Sequence, residues 1–282
     1  MPKATGFFYE FAQTHGLVTN WHVLSGKHAV SEAFLDEHRR FPTRLRCHWS
    51  AQDRAGGTAE FRELELPVLR DGWPTWWQHR GFLNQDGMPQ QVDIGVICLN
   101  DWMPNYEEEK SRIACFKAAV LYQPAKDGRS DYWEYGYAPV GAEVFILGFP
   151  LGLALQGTLP IWKCGSVASE PLINIAGQMP IFFVDAATRH GMSGSPVAYF
   201  GKELINSRGL PAPAPQAFVE PWLLGVYAGR RGSSSEEQEM SLGRVWHRRL
   251  LDDIFFNHVP GGTPPLTSEG STTATSLRQA IE

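Results

Sequence analysis

A serine stands in a glycine-flanked turn at Gly191-Met192-Ser193-Gly194-Ser195-Pro196. A serine hydroxyl is a weak nucleophile at neutral pH and needs a base to take its proton during attack. Far upstream, Thr19-Asn20-Trp21-His22-Val23 supplies an imidazole, and Val92-Asp93-Ile94-Gly95-Val96 supplies a carboxylate within an apolar run. A neutral His22 can accept the Ser193 proton and pass it to the leaving group. A buried Asp93 can orient the other ring nitrogen and stabilise the imidazolium. Attack on a carbonyl also places negative charge on its oxygen. Glycines at 191 and 194 allow a sharp turn that exposes the backbone N–H groups of Gly191 and Ser193 to that charge. Losing one such donor costs on the order of 3 kcal/mol of transition-state stabilisation. Together these residues predict a hydrolase with a serine nucleophile.

Singly, each residue has a plainer use. His22 could cap a turn, Asp93 could end a strand, and Ser193 could be an ordinary turn residue. The joint pattern favours chemistry, because all three roles of one reaction are filled. Other chemistries fit less well. An α/β-hydrolase elbow needs Gly-X-Ser-X-Gly, whereas Gly191 to Ser195 ends in serine; its acid and histidine would follow the nucleophile, as only Asp252 and His258 do here. The nine histidines form no His-Glu-X-X-His or similar ligand pattern, and Gly148 to Gly157 lacks a Walker lysine. The proposed reaction calls for no metal and no cofactor.

The elements that must hold these residues are mostly strands. Gly6 to Phe11 and Leu17 to Asn20 read as neighbouring strands, with a helical turn starting near Trp21 and carrying His22. Thr43 to Trp49 alternates with period two, and Gln52 to Ala59 reads as a turn around Gly56-Gly57. Val92 to Leu99 is a buried-strand signal. Further strands are expected at Val144 to Pro150, Ile161 to Ala168, Pro180 to Val184, Ser195 to Phe200 and Leu223 to Ala228. Apolar spacing predicts an amphipathic helix over Val245 to Phe256. Met103 to Lys117 reads as a linker with solvated Glu107, Glu108 and Glu109, and Trp73, Trp76 and Trp77 as structural cover. Repeated antiparallel strands with short turns favour a barrel or sandwich over βαβ units.

Composition sets outer limits. The 282 residues suffice for a large core or two packed lobes. With 25 basic and 30 acidic residues and no dominant basic stripe, nucleic acid is not an obligatory partner. No run of about 18 apolar residues occurs, and the start lacks a secretory apolar region, so neither a membrane span nor a signal peptide is expected. Cys47, Cys98, Cys115 and Cys164 are sparse and read as reduced thiols, consistent with a cytoplasmic location.

On Gly16 to Val23, Val92 to Val96 and Asp185 to Val197, the sequence resembles the chymotrypsin-fold serine proteases, closest in pattern to bacterial HtrA (Deg) type domains. Val144 to Pro150 and Leu224 to Gly229 add secondary matches, so the likeness extends roughly from Gly6 to Phe256. It implies an all-β fold of two antiparallel six-stranded β-barrels of chymotrypsin type with a C-terminal helix. The implied lobes are 1–118, carrying His22 and Asp93, and 119–258, carrying Ser193; 259–282 would be a flexible tail. It also implies a serine endopeptidase acting on protein or peptide substrates through a Ser-His-Asp triad, with room for a regulatory protein partner. By the same likeness Ala187 lies near the base of the pocket for the residue before the cleaved bond (P1). Thr188, His190, Ala228, Gly229 and Arg230 line the substrate cleft. An alanine base supplies no charge, so an uncharged P1 is expected, with an acidic P1 the alternative where His190, Arg189 or Arg230 reaches inward. Departures are Met192, which cannot form the activating ion pair of an aspartate, Ser195 in place of the usual glycine, an insertion within 66–91, and no recognisable PDZ domain. They motivate an alternative: a protease-fold peptide-binding module with weak or no catalysis.

Overall fold

The first two strands, Phe7–Phe11 and Thr14–Thr19, form a hairpin through Ala12 and Gln13, whose φ angles of 47° and 69° fit a two-residue primed turn. Phe7 and Tyr9 turn inward while their neighbours are less buried, the alternation that one buried sheet face requires. The computed structural model describes residues 4–51, 60–84, 86–117, 120–123, 132–155, 159–174, 179–201, 203–206, 208–213, 221–230 and 242–263. The turn expected at Gly56-Gly57 and residues 264–282 of the expected tail lie outside the described residues.

This hairpin belongs to a six-stranded sheet ordered Phe116–Lys117, Phe7–Phe11, Thr14–Thr19, Gly95–Cys98, Trp76–Gln78, Val259–Pro260. The sheet is open, which corrects the expectation of two closed barrels. The physical reason is the hairpin Arg44–Ala51/Glu60–Pro67. Its eight residue pairs join its two strands only to each other, and neither outer edge continues the ladder to another strand of the described residues, so the sheet does not close through it. It covers the sheet with side chains instead: Trp49, Ala51, Leu64 and Leu66 pack with Leu17, Trp21, Leu24, Ile97 and Leu99. Its opposite face carries Arg44, Arg46 and His48 against Glu63 and Glu65. The expected linker also folds, as Tyr106–Glu109 and Lys110–Arg112 helical turns, and Glu109 is half-buried in an ion pair with Arg62 rather than solvated.

The second sheet is a closed six-stranded barrel: Glu143–Gly148, Ile161–Val167, Ile181–Asp185, Leu242–His247, Trp222–Arg230 and Pro196–Tyr199, returning to the first. Its interior holds Val144, Ile146, Phe182, Val184, Met192, Val197, Tyr227 and Val245. Val245 and Trp246 thus lie in a strand, and the expected helix is shorter, Arg249–Asn257. Cross-strand pairing of Val245 with Tyr227 and Phe182 outweighs the helical spacing that these residues share with Leu250 and Leu251.

The helix docks Leu250, Leu251, Ile254 and Phe255 against Phe7, Tyr9, Val18 and Val96 of the first sheet. Tyr9 donates from its hydroxyl to Asp252 Oδ1 at 2.5 Å, both side chains buried. A hydrogen bond to a carboxylate contributes roughly 1.5–3 kcal/mol, so Tyr9→Phe is expected to lower unfolding free energy by about that range, read as an earlier urea midpoint at unchanged slope. After the helix, His258 adopts a left-handed conformation and turns the chain into Val259–Pro260 at the sheet edge. All four cysteines are free thiols.

Candidate active site

The imidazole is positioned from both sides. His22 sits on the five-residue helix Trp21–Ser25, held by its neighbours rather than by helical propensity. Trp21 Nε1 donates to Gln78 Oε1 at 2.9 Å, and the same oxygen accepts from Gly262 N, which ties the helix to the sheet edge. Buried Asn20 donates from Nδ2 to the Asp93 carbonyl at 2.7 Å. Asp93 lies in the bend just before the strand Gly95–Cys98, so the strand begins later than expected. Its carboxylate accepts from His22 N at 3.0 Å and lies 3.0 and 2.9 Å, through its two oxygens, from His22 Nδ1. An ionised carboxylate only accepts, so Nδ1 carries the proton and the lone pair belongs to Nε2.

The serine turn is built by glycine. Gly191 and Gly194 have φ of +92° and +86°. A Cβ at Gly194 would come within 2.2 Å of the Thr5 carbonyl, 2.7 Å of Thr19 Oγ1 and 3.2 Å of Asn20 N. The turn therefore presses against the segment that leads into the histidine helix. Thr5 staples them together. Its N–H donates to the Ser193 carbonyl, its hydroxyl donates to the Gly191 carbonyl, and its own carbonyl accepts from Thr19 Oγ1, all within 2.7–2.9 Å. Within the turn, Gly194 N–H donates to the Tyr227 carbonyl and Ser195 N–H to the Met192 carbonyl. Among the described residues, the N–H groups of Gly191 and Ser193 have no acceptor. The carbonyl of the 190–191 peptide is taken by Leu151 N–H at 2.6 Å, which directs the Gly191 N–H the opposite way. Among the described residues, no hydrogen bond joins Ser193 Oγ to the His22 ring. Catalytic hydrogen bonds of this kind often tighten only when substrate binds.

The remaining expected cleft residues divide. Ala187 is exposed, and Thr188, at 1 % exposure, is the residue that points inward. His190 is exposed on the rim. Ala228 is buried, Arg230 is half-buried, and Gly229 has φ of +99° with its missing Cβ site 3.9 Å from Ser193 Oγ.

A family model described as trypsin-like peptidase domain matches residues 4–205, a span containing His22, Asp93 and Ser193. The chain belongs to the trypsin-like peptidase domain family. Solved structures similar to this peptidase domain include the inactive form of the Rv3671c protease, at 15% identity over 92% of this chain and 84% of that one, TM-score 0.38. The active form of that M. tuberculosis protease matches at 13% identity over 93% and 75%, TM-score 0.37. The HtrA-type protease AlgW with a tripeptide matches at 15% identity over 91% and 55%, TM-score 0.36. No curated protein matches the chain. Among the described residues of the peptidase domain, no helix is long and apolar enough to cross a membrane.

In this peptidase domain the charge state of His22 follows from three opposing influences. Burial disfavours the imidazolium, the hydrogen bond and charge of Asp93 favour it more strongly, and the positive charge of Arg244 works against it. The net result raises the His22 pKa above its ordinary value. Thr5, Thr19, Tyr227 and Arg244 escape sequence reading. Thr5 lies outside the matched blocks, Thr19 and Tyr227 lie within them with no role that residue type suggests, and Arg244 lies in a strand whose apolar neighbours suggest helix. Removing Arg244 by Arg244→Met takes away a charge that opposes the imidazolium, so the His22 pKa should rise further. An NMR titration of the His22 ring is then expected to reach its midpoint at higher pH than in the unsubstituted protein.

Proposed function

We propose that the chain is a serine endopeptidase that hydrolyses peptide bonds through an acyl-enzyme. Ser193 Oγ attacks the scissile carbonyl while His22 Nε2 takes the hydroxyl proton. The N–H groups of Gly191 and Ser193 hold the developing oxyanion. The imidazolium, oriented by Asp93, then protonates the leaving amine. Water attacks the acyl carbonyl in the same way, giving its proton to His22; the acyl carbon–Oγ bond then breaks, His22 returns the proton to Ser193 Oγ, and the product acid leaves. No cofactor or metal enters any step. The two lobes read from the sequence, 1–118 and 119–258, would supply the base with its acid and the nucleophile respectively. An uncharged P1 residue fits the inward Thr188 and buried Ala228. Four free thiols fit a cytoplasmic protein.

The observation that carries this reading is the double contact of Nδ1 with Asp93, next to a serine turn whose Gly191 and Ser193 N–H groups lack an acceptor among the described residues. The test is covalent labelling with a fluorophosphonate followed by peptide mapping. The label is expected on Ser193; stoichiometric labelling at another residue would remove Ser193 as nucleophile. A second reading is favoured by the missing Ser193–His22 hydrogen bond and by Met192 and Ser195 in the turn: a peptide-binding module without turnover. It predicts saturable peptide binding, no label and no internal cuts in a peptide library.

A further inference from the structure

Two strips of chain flank Ser193: Thr188 to Gly191 leading into it, and Ala228 to Arg230 ending the barrel strand Trp222–Arg230 beside it. By the family likeness, a substrate side chain entering next to Ser193 passes between them toward the barrel interior. The entrance is open, because Gly229 has no side chain and a Cβ there would meet only Ser193 Oγ, at 3.9 Å. The floor is filled by Tyr227. Its backbone is fixed to the serine turn on both sides: Gly194 N–H donates to its carbonyl, and its N–H donates to the Ser195 carbonyl, each at 2.9 Å.

The ring cannot step aside cheaply. Tyr227 is 1 % exposed, and its hydroxyl contacts Thr188 Oγ1, so that one contact bridges the two strips behind the nucleophile. On its other side stands Gly243, where a Cβ would lie 2.4 Å from Tyr227 Cε2 and 3.2 Å from Cζ. Ala186, Met192 and Val245 share the same packed cluster. Interiors at this density do not vacate a ring's volume without repacking.

We propose that Tyr227 is the specificity-determining residue of the Ser193 site, closing its recess so that the P1 residue is small: Gly, Ala, Ser or Val. The proposal rests on the peptidase reading above and narrows it. A methyl, hydroxymethyl or isopropyl group ends above the ring, whereas Leu, Phe or Lys at P1 needs the ring displaced. Discrimination then arises in the transition state, since a misplaced P1 side chain pulls the scissile carbonyl away from Ser193 and the two N–H groups.

The experiment uses matched fluorogenic peptides differing only at P1, each corrected by the Ser193→Ala protein. The unsubstituted protein is expected to cleave the Ala and Val peptides with kcat/KM about a hundredfold above the Phe peptide, in line with methylene-scale discrimination in closed pockets. Tyr227→Ala should narrow that ratio by about tenfold or more, chiefly by a gain on Leu and Phe. Tyr227→Phe keeps the ring and should keep the order of preference. Cleavage of Leu or Phe peptides as fast as Ala by the unsubstituted protein overturns the proposal, even if Tyr227→Ala fails to fold. So does unchanged selectivity in a folded Tyr227→Ala. Absence of Ser193-dependent cleavage of every peptide overturns the peptidase reading, and this proposal with it; Ser193-dependent cleavage with a large P1 overturns only the proposal.

Discussion

Replacing Ser193 by alanine is expected to lower kcat for peptide hydrolysis on the order of a million-fold, the scale set by nucleophile removal in an unrelated serine protease. The remaining rate would come from the two backbone donors and from substrate binding, which the substitution leaves in place. Fold stability should barely change. The Ser193 hydroxyl makes no hydrogen bond among the described residues, and the structural tie at this position is its carbonyl, which accepts from Thr5 N–H. The measurement is steady-state cleavage of a mapped peptide beside a thermal melt. A variant that melts normally and cuts within tenfold of the unsubstituted rate would mean that another group attacks the carbonyl.

The second large effect is expected at Asp93→Asn, with kcat falling about ten-thousandfold. The carboxylate accepts from both His22 N–H and His22 Nδ1–H. An amide keeps one acceptor oxygen, which can still serve the backbone N–H. Its NH2 group then faces Nδ1 and favours the tautomer with the proton on Nε2. That tautomer offers Ser193 no lone pair. The substitution also removes both influences that raise the His22 pKa, leaving burial and Arg244 to lower it. The residual rate should therefore show its ascending limb at lower pH, opposite in direction to Arg244→Met. A loss under about tenfold, with the pH limb unmoved, would show that Asp93 holds the helix and not the proton.

The elements legible in the sequence are those with a strong local pattern. The hairpin of Phe7–Phe11 and Thr14–Thr19 and the buried strand Gly95–Cys98 announce themselves by alternation or by an unbroken apolar run. Val245 and Trp246 mislead because two buried residues on opposite faces of a strand, followed by a helix with its own apolar face, imitate one continuous helical stripe. The closed first barrel that the family resemblance implies does not form, and local pattern could not have shown it. Local alternation marks a strand at Thr43 to Trp49, yet it carries no information on its partner, Glu60–Pro67, or on whether the outer edges meet another strand.

At the site, residue chemistry and glycine placement select His22, Asp93, Gly191 and Ser193 as candidates, since few side chains and few turns can do those jobs. What holds them is remote in sequence. Thr5 reaches Gly191 across 186 positions and Gln78 reaches Thr263 across 185, and neither has a local signature. Local propensity, period and residue chemistry thus determined the strands and the reactive groups, because those depend on near neighbours. Only the tertiary structure decided that one sheet stays open, that Thr188 and not Ala187 turns inward, and that Tyr227 fills the floor beside Ser193, because each depends on which distant surfaces come into contact.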